Sequence, residues 1–406
     1  MKRIAKRFKW IFIISLLLTS CTGAGDFQVN WIKPDHAEAV QSITLADAQS
    51  LLESYLSELD DYNQAFTIYQ LPEIDFFQFG MGNREKMIYR DGKLIDSFSG
   101  TILREWDISN DVIIPSEYLV VLETKNSNLV RITENHQGVW IEENGRFLRL
   151  SRGTLNLPQF SDSAYPRILR VLHHEVLINI IDGFPTPNYL VYPKPWYRDA
   201  ALAAMVLEKT DNLHLIKKWI EGIREPFDLN NAGIEEPDNL GQVLFLVSLV
   251  SDKNHPVVST IQELLPRFEK NNHIEGLTDF STHSVYQTLW LKYGLSSLGL
   301  ADKYEIPRVK DSYASLFWMD YKDQIMVDHS VFDSPSYPYL MTAQDHFFGT
   351  KNGYVSSRPY PLTWEANASA AQYEGMAVIS DDYLDAQLAA PHGWHAAELF
   401  LLLYQD

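Results

Sequence analysis

Lys194-Pro195-Trp196-Tyr197-Arg198-Asp199-Ala200-Ala201-Leu202-Ala203-Ala204-Met205-Val206-Leu207 sets an aromatic pair, a cation and a carboxylate directly ahead of a small, apolar run. Pro195 suits a helix start, and Asp199 complements the positive end of a helix dipole. Trp196, Tyr197, Arg198 and Asp199 should therefore stand together at a helix mouth, as a polar and aromatic lip. The same residues also fit a plain cap whose arginine stem lies along apolar surface.

Downstream and upstream of this stretch the period stays helical. Runs near 166–181, 197–209, 213–222, 238–251, 256–270, 283–298, 311–319, 364–379 and 392–405, with a further one at 339–347, alternate with loops rich in Pro, Gly, Asn and His. Those near 166, 197, 238, 283, 364 and 392 are rich in Ala, Leu, Trp and Tyr; those near 213 and 256 carry Lys, Glu and Arg and read as amphipathic. The alternation predicts a mainly α body over 161–406, an inner and an outer ring of antiparallel helix pairs. That length is short for six hairpins, and 300–363 reads poorly as helix. Either the ring is incomplete or long loops build one wall of a groove.

Before Tyr165 the period changes. Lys86–Arg90, Tyr118–Thr124, Leu129–Ile132 and Val139–Ile141 are short and β-rich, divided by Asp91-Gly92, Lys125–Asn128 and Glu143-Asn144-Gly145. These turn signals predict an N-terminal antiparallel β-rich domain over 65–160, with five or six strands. Phe76–Arg84 joins aromatics to two glycines and reads as a tight turn lined by core rings. A helix over 43–64, capped by Ser42 or Thr44, precedes the domain.

Residues 1–20 hold five cations, no acid, and the apolar run Trp10–Leu18; this reads as a signal peptide. Leu18-Thr19-Ser20-Cys21 resembles a bacterial lipobox, which implies lipidation of Cys21, a tether over 21–42 and an extracytoplasmic protein anchored to the cell membrane. Cys21 is the only cysteine, so no intramolecular disulfide can form. Without the signal 29 cations face 53 acids, a net charge near −24. Such a surface argues against nucleic acid or anionic lipid as partner. A monomer is expected.

From about 160 onward the chain resembles the six-hairpin glycosidases, the α/α toroid enzymes that include the glucoamylases. Trp196-Tyr197-Arg198-Asp199 resembles their aromatic-x-Arg-Asp, where Arg and Asp hold hydroxyls of the sugar being cleaved. Gly233-Ile234-Glu235-Glu236-Pro237 resembles their Trp-Glu-Glu loop, with Ile234 in the aromatic's place. The resemblance implies that Glu235 or Glu236 is the general acid. Asp385-Ala386-Gln387-Leu388, ahead of the helix carrying His392, Trp394 and His395, resembles the segment that carries the general base. The fold implied is an α/α toroid and the activity carbohydrate hydrolysis.

Glycoside hydrolysis asks for one protonated carboxyl, one ionised carboxylate and a flat platform for a sugar ring. Helix mouths here offer Glu235, Glu236, Asp238, Glu365, Glu374 and Asp385 beside Trp196, Tyr197, Trp364, Tyr373 and Trp394. Glu236 or Glu235 would protonate the leaving oxygen, and Asp385 or Glu365 would activate water. Trp196, Tyr197, Arg198, Asp199, Trp364, Trp394 and His395 would hold the substrate. The acids also suit simple helix caps. Two other readings use the same residues: a polysaccharide lyase or sugar epimerase working through Tyr197, Tyr373, His346 or His395, and a glycan-binding lipoprotein without catalysis. His173-His174-Glu175, Asp345-His346 and His392–His395 lack the spacing of a zinc motif, and no metal or other cofactor is expected. Neither a nucleophile elbow nor a phosphate or dinucleotide loop is present.

Overall fold

The computed structural model describes residues 43–66, 74–190, 192, 194–230, 233–279, 281–309, 311, 313, 359–363 and 391–404. Helix α1 (Leu45–Phe66) opens on a reciprocal cap. Thr44 Oγ1 accepts the Asp47 N–H at 3.2 Å, and Asp47 Oδ2 accepts the Thr44 N–H at 2.9 Å. Nine strands follow. β1 (Phe76–Phe79), β2 (Met87–Arg90), β3 (Lys93–Asp96) and β4 (Ile102–Glu105) form one antiparallel sheet. A second contains β5 (Ile108–Ile114), β6 (Leu119–Thr124), β7 (Leu129–Asn135), β8 (Gly138–Glu143) and β9 (Arg146–Arg152). Both are simple meanders, so each turn predicted from Asx-Gly and Asn-rich dipeptides closes a hairpin between neighbours. One face of α1 sets Ala48, Leu51 and Leu52 on Val112, Ile114, Leu119 and Val121 of β5 and β6. Its other face sends Tyr55, Leu59 and Tyr62 into the main core.

The helical half comprises α2 (Pro166–Ile178), α3 (Tyr197–Lys209), α4 (Lys217–Glu221), α5 (Asp238–Ser248), α6 (Pro256–Leu264), α7 (Ser284–Ser297) and α8 (Gly393–Leu403). Packing runs α2, α8, α3, α5, α7, so α8 is wedged between two helices formed far earlier in the chain. Helices α5 and α7 touch backbone to backbone. A Cβ on Gly241 would lie 2.2 Å from the Trp290 carbonyl carbon, and one on Gly294 would lie 2.3 Å from the Gly241 oxygen.

This architecture corrects the expected fold class. The described residues form eight helices and fifteen strands in five antiparallel sheets, an α+β arrangement. The mainly α ring over 161–406, an α/α toroid complete or incomplete, is not what they build. Local chemistry explains the difference. The helix expected over 166–181 stops at Ile178, because Asn179 turns the chain: its Nδ2 donates to the Glu175 carbonyl at 3.0 Å and its Oδ1 accepts Tyr189 N–H at 2.9 Å. A short hairpin, β10 (Ile180–Ile181) with β11 (Phe184–Pro185), takes over there.

The helix expected over 256–270 yields at Leu264 to a 3-10 turn containing Pro266, which lacks the N–H a helix needs. Asn271 and Asn272, at φ 47° and 64°, then close the hairpin of β12 (Glu269–Lys270) and β13 (His273–Ile274). The run at 213–222 divides into a 3-10 turn and the five-residue α4. Of the helix expected near 311–319 only Asp311 and Tyr313 are described, neither of them helical, and those expected near 339–347 and 364–379 fall on residues outside those described. The β-rich N-terminal region is present, with nine strands where five or six were expected. Among the described residues no helix is long and apolar enough to cross a membrane.

The two halves meet at the turn between β1 and β2. Buried Glu134 on β7 accepts Gly80 N–H at 2.8 Å, Met81 N–H at 2.7 Å and Arg84 Nη1 at 2.7 Å. The Lys86 ammonium donates to the Gly80 and Gly82 carbonyls. Burial pulls its pKa down to about 7, against the pull of Glu134. Gly82 N–H donates to the Leu177 carbonyl of α2 at 2.8 Å and so fastens the turn to the helices. Gly80 sits at φ 106°, and a Cβ there would lie 2.1 Å from the Glu85 oxygen. Gly80→Ala is expected to destabilise the protein by ~1–3 kcal/mol or more, read as a lower denaturation midpoint in urea.

Candidate functional site

The N-termini of α3, α5, α7 and α8 converge, and Arg198 on the first turn of α3 is the buried cation at their meeting point. Its Nη2 donates to Glu236 Oε2 at 3.0 Å, and its Nη1 to Asp279 Oδ2 at 3.0 Å. The guanidinium carbon lies 5.2 Å from the Tyr313 ring centre and 5.1 Å from that of Trp394, within cation–π range of both. Burial opposes the charge, yet Asp279, Asp238 and Glu236 hold the Arg198 pKa well above its ordinary value.

Glu236 precedes α5 and is buried, with Asp279 N–H donating to its Oε1 at 2.6 Å. Burial raises its carboxyl to about 7, with Arg198 pulling down and Asp238 pushing up. Asp238 is fixed by Gln242 Nε2 at 2.9 Å and the Thr278 hydroxyl at 2.7 Å. Gln242 Nε2 also donates to the Tyr286 hydroxyl at 3.1 Å, which ties α5 to α7.

Asp279 occupies the turn between β14 (Leu277–Thr278) and β15 (Ser281–Thr282), at φ 53°. Its Oδ2 accepts the Tyr313 hydroxyl at 2.5 Å as well as Arg198. Its side chain is 44% exposed, against 1% for Glu236, so it is the member of the cluster that meets solvent. Tyr313 stacks on His283, with ring centres 4.2 Å apart.

Asp199, one residue past Arg198, points to the other side of the helix mouth. Its Oδ1 lies 3.5 Å from His392 Nδ1. Burial raises the Asp199 carboxyl to about 7 despite Arg198. His392 is lowered to about 3 by burial and by Arg198, and His395 falls well below its ordinary range by burial and by His392. The two imidazoles are therefore neutral near pH 7, and they stack at 4.2 Å and 18°. Trp196, half-buried, packs on Tyr192 with ring centres 5.0 Å apart.

The structure thus gathers Trp196, Arg198, Asp199, Glu236, Trp394 and His395 at one mouth. It separates two residues expected there. Tyr197 is buried, with its hydroxyl donated to the Glu225 carbonyl at 2.7 Å and its ring against Trp219, so it offers no sugar platform. Glu235 is exposed and ion-paired with Arg267, outside the Arg198 cluster. Glu365, Trp364, Asp385 and Cys21 lie outside the described residues. Asp279 and Tyr313 were missed because Thr278-Asp279 reads as an ordinary polar turn and Tyr313 as one of many loop aromatics; the strand-like residues on either side of Asp279 were the one local sign.

His173 and His174 serve packing and point apart. His173 reaches Asn212 at 3.4 Å, and His174 reaches the Gln78 carbonyl at 2.8 Å. Among the described residues no group of three or more His, Cys, Asp or Glu is arranged to hold a metal ion.

A carboxyl whose folded pKa exceeds its unfolded one stays protonated in the fold while it ionises in the unfolded chain. The stability it confers is full at low pH and is lost as pH rises through the folded pKa. Asp199→Asn should therefore gain melting temperature relative to wild type as pH rises from about 4 to about 7, and the difference should level off above that range, measured by calorimetry. The chain was compared with protein-family models, curated proteins and solved structures, and none matches it.

Proposed function

We propose that this protein is a glycoside hydrolase acting on a poly- or oligosaccharide outside the cytoplasm, held to the bacterial membrane by a lipid on Cys21. The observation that carries the reading is the cluster at the helix mouths. Arg198 is locked between two carboxyl groups and two aromatic rings, which joins planar hydrogen-bonding groups to apolar ring faces. Sugar rings present the matching surfaces, hydroxyls at the edge and C–H groups on the faces. Glu236, raised to about 7, retains a proton near neutral pH and supplies the general acid. Trp394, Trp196 and Arg198 position the glycan, with Asp199 and His395 behind them.

A second reading, proton abstraction from a uronate by a lyase or epimerase, draws on the Tyr313 hydroxyl beside Arg198 and His283. The balance of charge favours hydrolysis. Arg198 is already paired with Asp279 at 3.0 Å, so its charge is matched before a uronate carboxylate arrives.

The test is purified mature protein on a panel of neutral, amino and acidic glycans, followed by product analysis. Reducing ends should appear, and Glu236→Gln should lower kcat ~10²-fold or more. Products that absorb as unsaturated uronates would establish the lyase instead. Binding without turnover in calorimetry would leave a glycan-binding protein.

A further inference from the structure

We propose that an uncharged sugar binds at a second site, a polar cavity where the end of β7, the chain at 156–159 and α2 meet. The cavity has a volume of about 390 Å³, within the range of small-ligand sites. None of its lining residues belongs to the Arg198 cluster. The proposal needs binding and no turnover, so it goes beyond the hydrolase reading and does not depend on it.

Arg170 of α2 organises this cavity. It is 8% exposed, and its guanidinium carbon lies 5.0 Å from the centre of the Tyr118 ring, within cation–π range. Tyr118 is held in turn by donating its hydroxyl to the Arg170 carbonyl at 3.1 Å. Arg170 Nη1 is used twice: it donates to Gln159 Oε1 and pairs with Glu117 Oε2 at 3.1 Å. Nε is buried without a partner, whereas Nη2 makes no hydrogen bond among the described residues and stays open to solvent. The clamp at Nη1 also fixes Gln159 and Glu117, and each keeps one polar atom unbound, the donor Gln159 Nε2 and the acceptor Glu117 Oε1. Asn135 completes the set. Its Oδ1 accepts the Gln137 N–H at 2.9 Å, the Gly138 N–H at 3.3 Å and Trp140 Nε1 at 3.3 Å, so the side chain is held while its Nδ2 donors remain.

The chemistry of these groups selects the ligand. Unpaired N–H donors on Arg170, Gln159 and Asn135 stand beside one carboxylate oxygen on Glu117 in the lining of a single cavity. Hydroxyls donate and accept at once and match that mixture. An apolar ligand would strand the same groups out of water at a cost. An anion gains little, because Glu117 already offsets the Arg170 charge and the chain carries 53 acids against 34 cations. A metal ion finds no spare pair of carboxylates. Glu117 is engaged with Arg170, and Glu134, which also lines the cavity, is consumed by Gly80, Met81 and Arg84. A neutral sugar, with adjacent hydroxyls on a compact ring, fits what is left.

The test titrates purified mature protein by calorimetry with maltotriose, cellotriose, xylotriose and mannotriose, and with galacturonate and inorganic phosphate as anionic probes. Hydrogen–deuterium exchange then maps each complex. At least one trisaccharide should slow exchange across 133–138 and 156–160. Gln159→Glu keeps the acceptor for Arg170 and deletes only the Nε2 donor, so it should weaken that Kd ~3–10-fold. An unchanged Kd in Gln159→Glu, or no trisaccharide protecting those segments, overturns the site; protection by the anions alone overturns the ligand class. Protection confined to 196–200 and 277–283 would put the sugar at the helix mouths, which overturns this site and leaves the hydrolase reading intact. Protein that binds sugar here and cleaves no glycan supports this site and removes the hydrolase reading. Gln159 is exposed, and the wild-type exchange map decides alone should the variant fail to fold.

Discussion

A guanidinium taken out of water must find opposite charge close by, because the desolvation of an unpaired buried cation costs several kcal/mol. Arg198 is 4% exposed, and that requirement organises its half of the molecule. Glu236 is brought in by the loop ahead of α5, Asp279 by the turn of β14 and β15, Trp394 by the first turn of α8, and Tyr313 by a segment beyond α7. No two of these come from the same element. The position of Arg198 on α3 therefore fixes where four separate pieces of chain must meet.

The same economy appears in how the helices begin. None of α2, α3 and α7 is capped by its own preceding side chain. Each takes a carboxylate from far away in sequence. Glu58 on α1 accepts the N–H groups of Arg167 and Ile168 at the start of α2. Asp228 accepts Tyr197 N–H of α3 at 2.5 Å, and Asp311 accepts Val285 and Tyr286 N–H of α7. Such caps satisfy orphan donors as local ones do, but they also fasten one element to another. Helix formation and tertiary assembly become one event here.

How far the sequence revealed this depends on whether the information was local. The Asx-Gly turns, the Thr44–Asp47 cap and the aromatic turn at Phe76–Arg84 depend on neighbours within a few residues, and all were legible. So was the lip at Trp196–Asp199. Tyr197 was misread because its neighbours Trp196 and Arg198 face the site while its own ring turns inward to Trp219, and adjacent residues on a helix point about 100° apart. Glu235 and Glu236 illustrate the same limit: one residue separates an exposed ion pair with Arg267 from a buried bond to Arg198. The ring of helix pairs failed for a different reason. Alternating apolar and amphipathic runs report burial, not the hairpins at Ile180, Glu269 and Leu277 that interrupt the helices. Asp279 was invisible because its partners lie 43 and 81 residues away.

Helix α8 lies between α2 and α3, and about two hundred residues separate it from both. Until it docks, the faces of α2 and α3 that it packs against have no cover on that side, and the site lacks Trp394 and His392. Docking of α8 is thus a long-range closure with a loop entropy to overcome. During synthesis the half-formed body presents an apolar slot of one helix's width. The segment that fills the slot also brings in the aromatic wall, so the chain can cover its core only by completing its site.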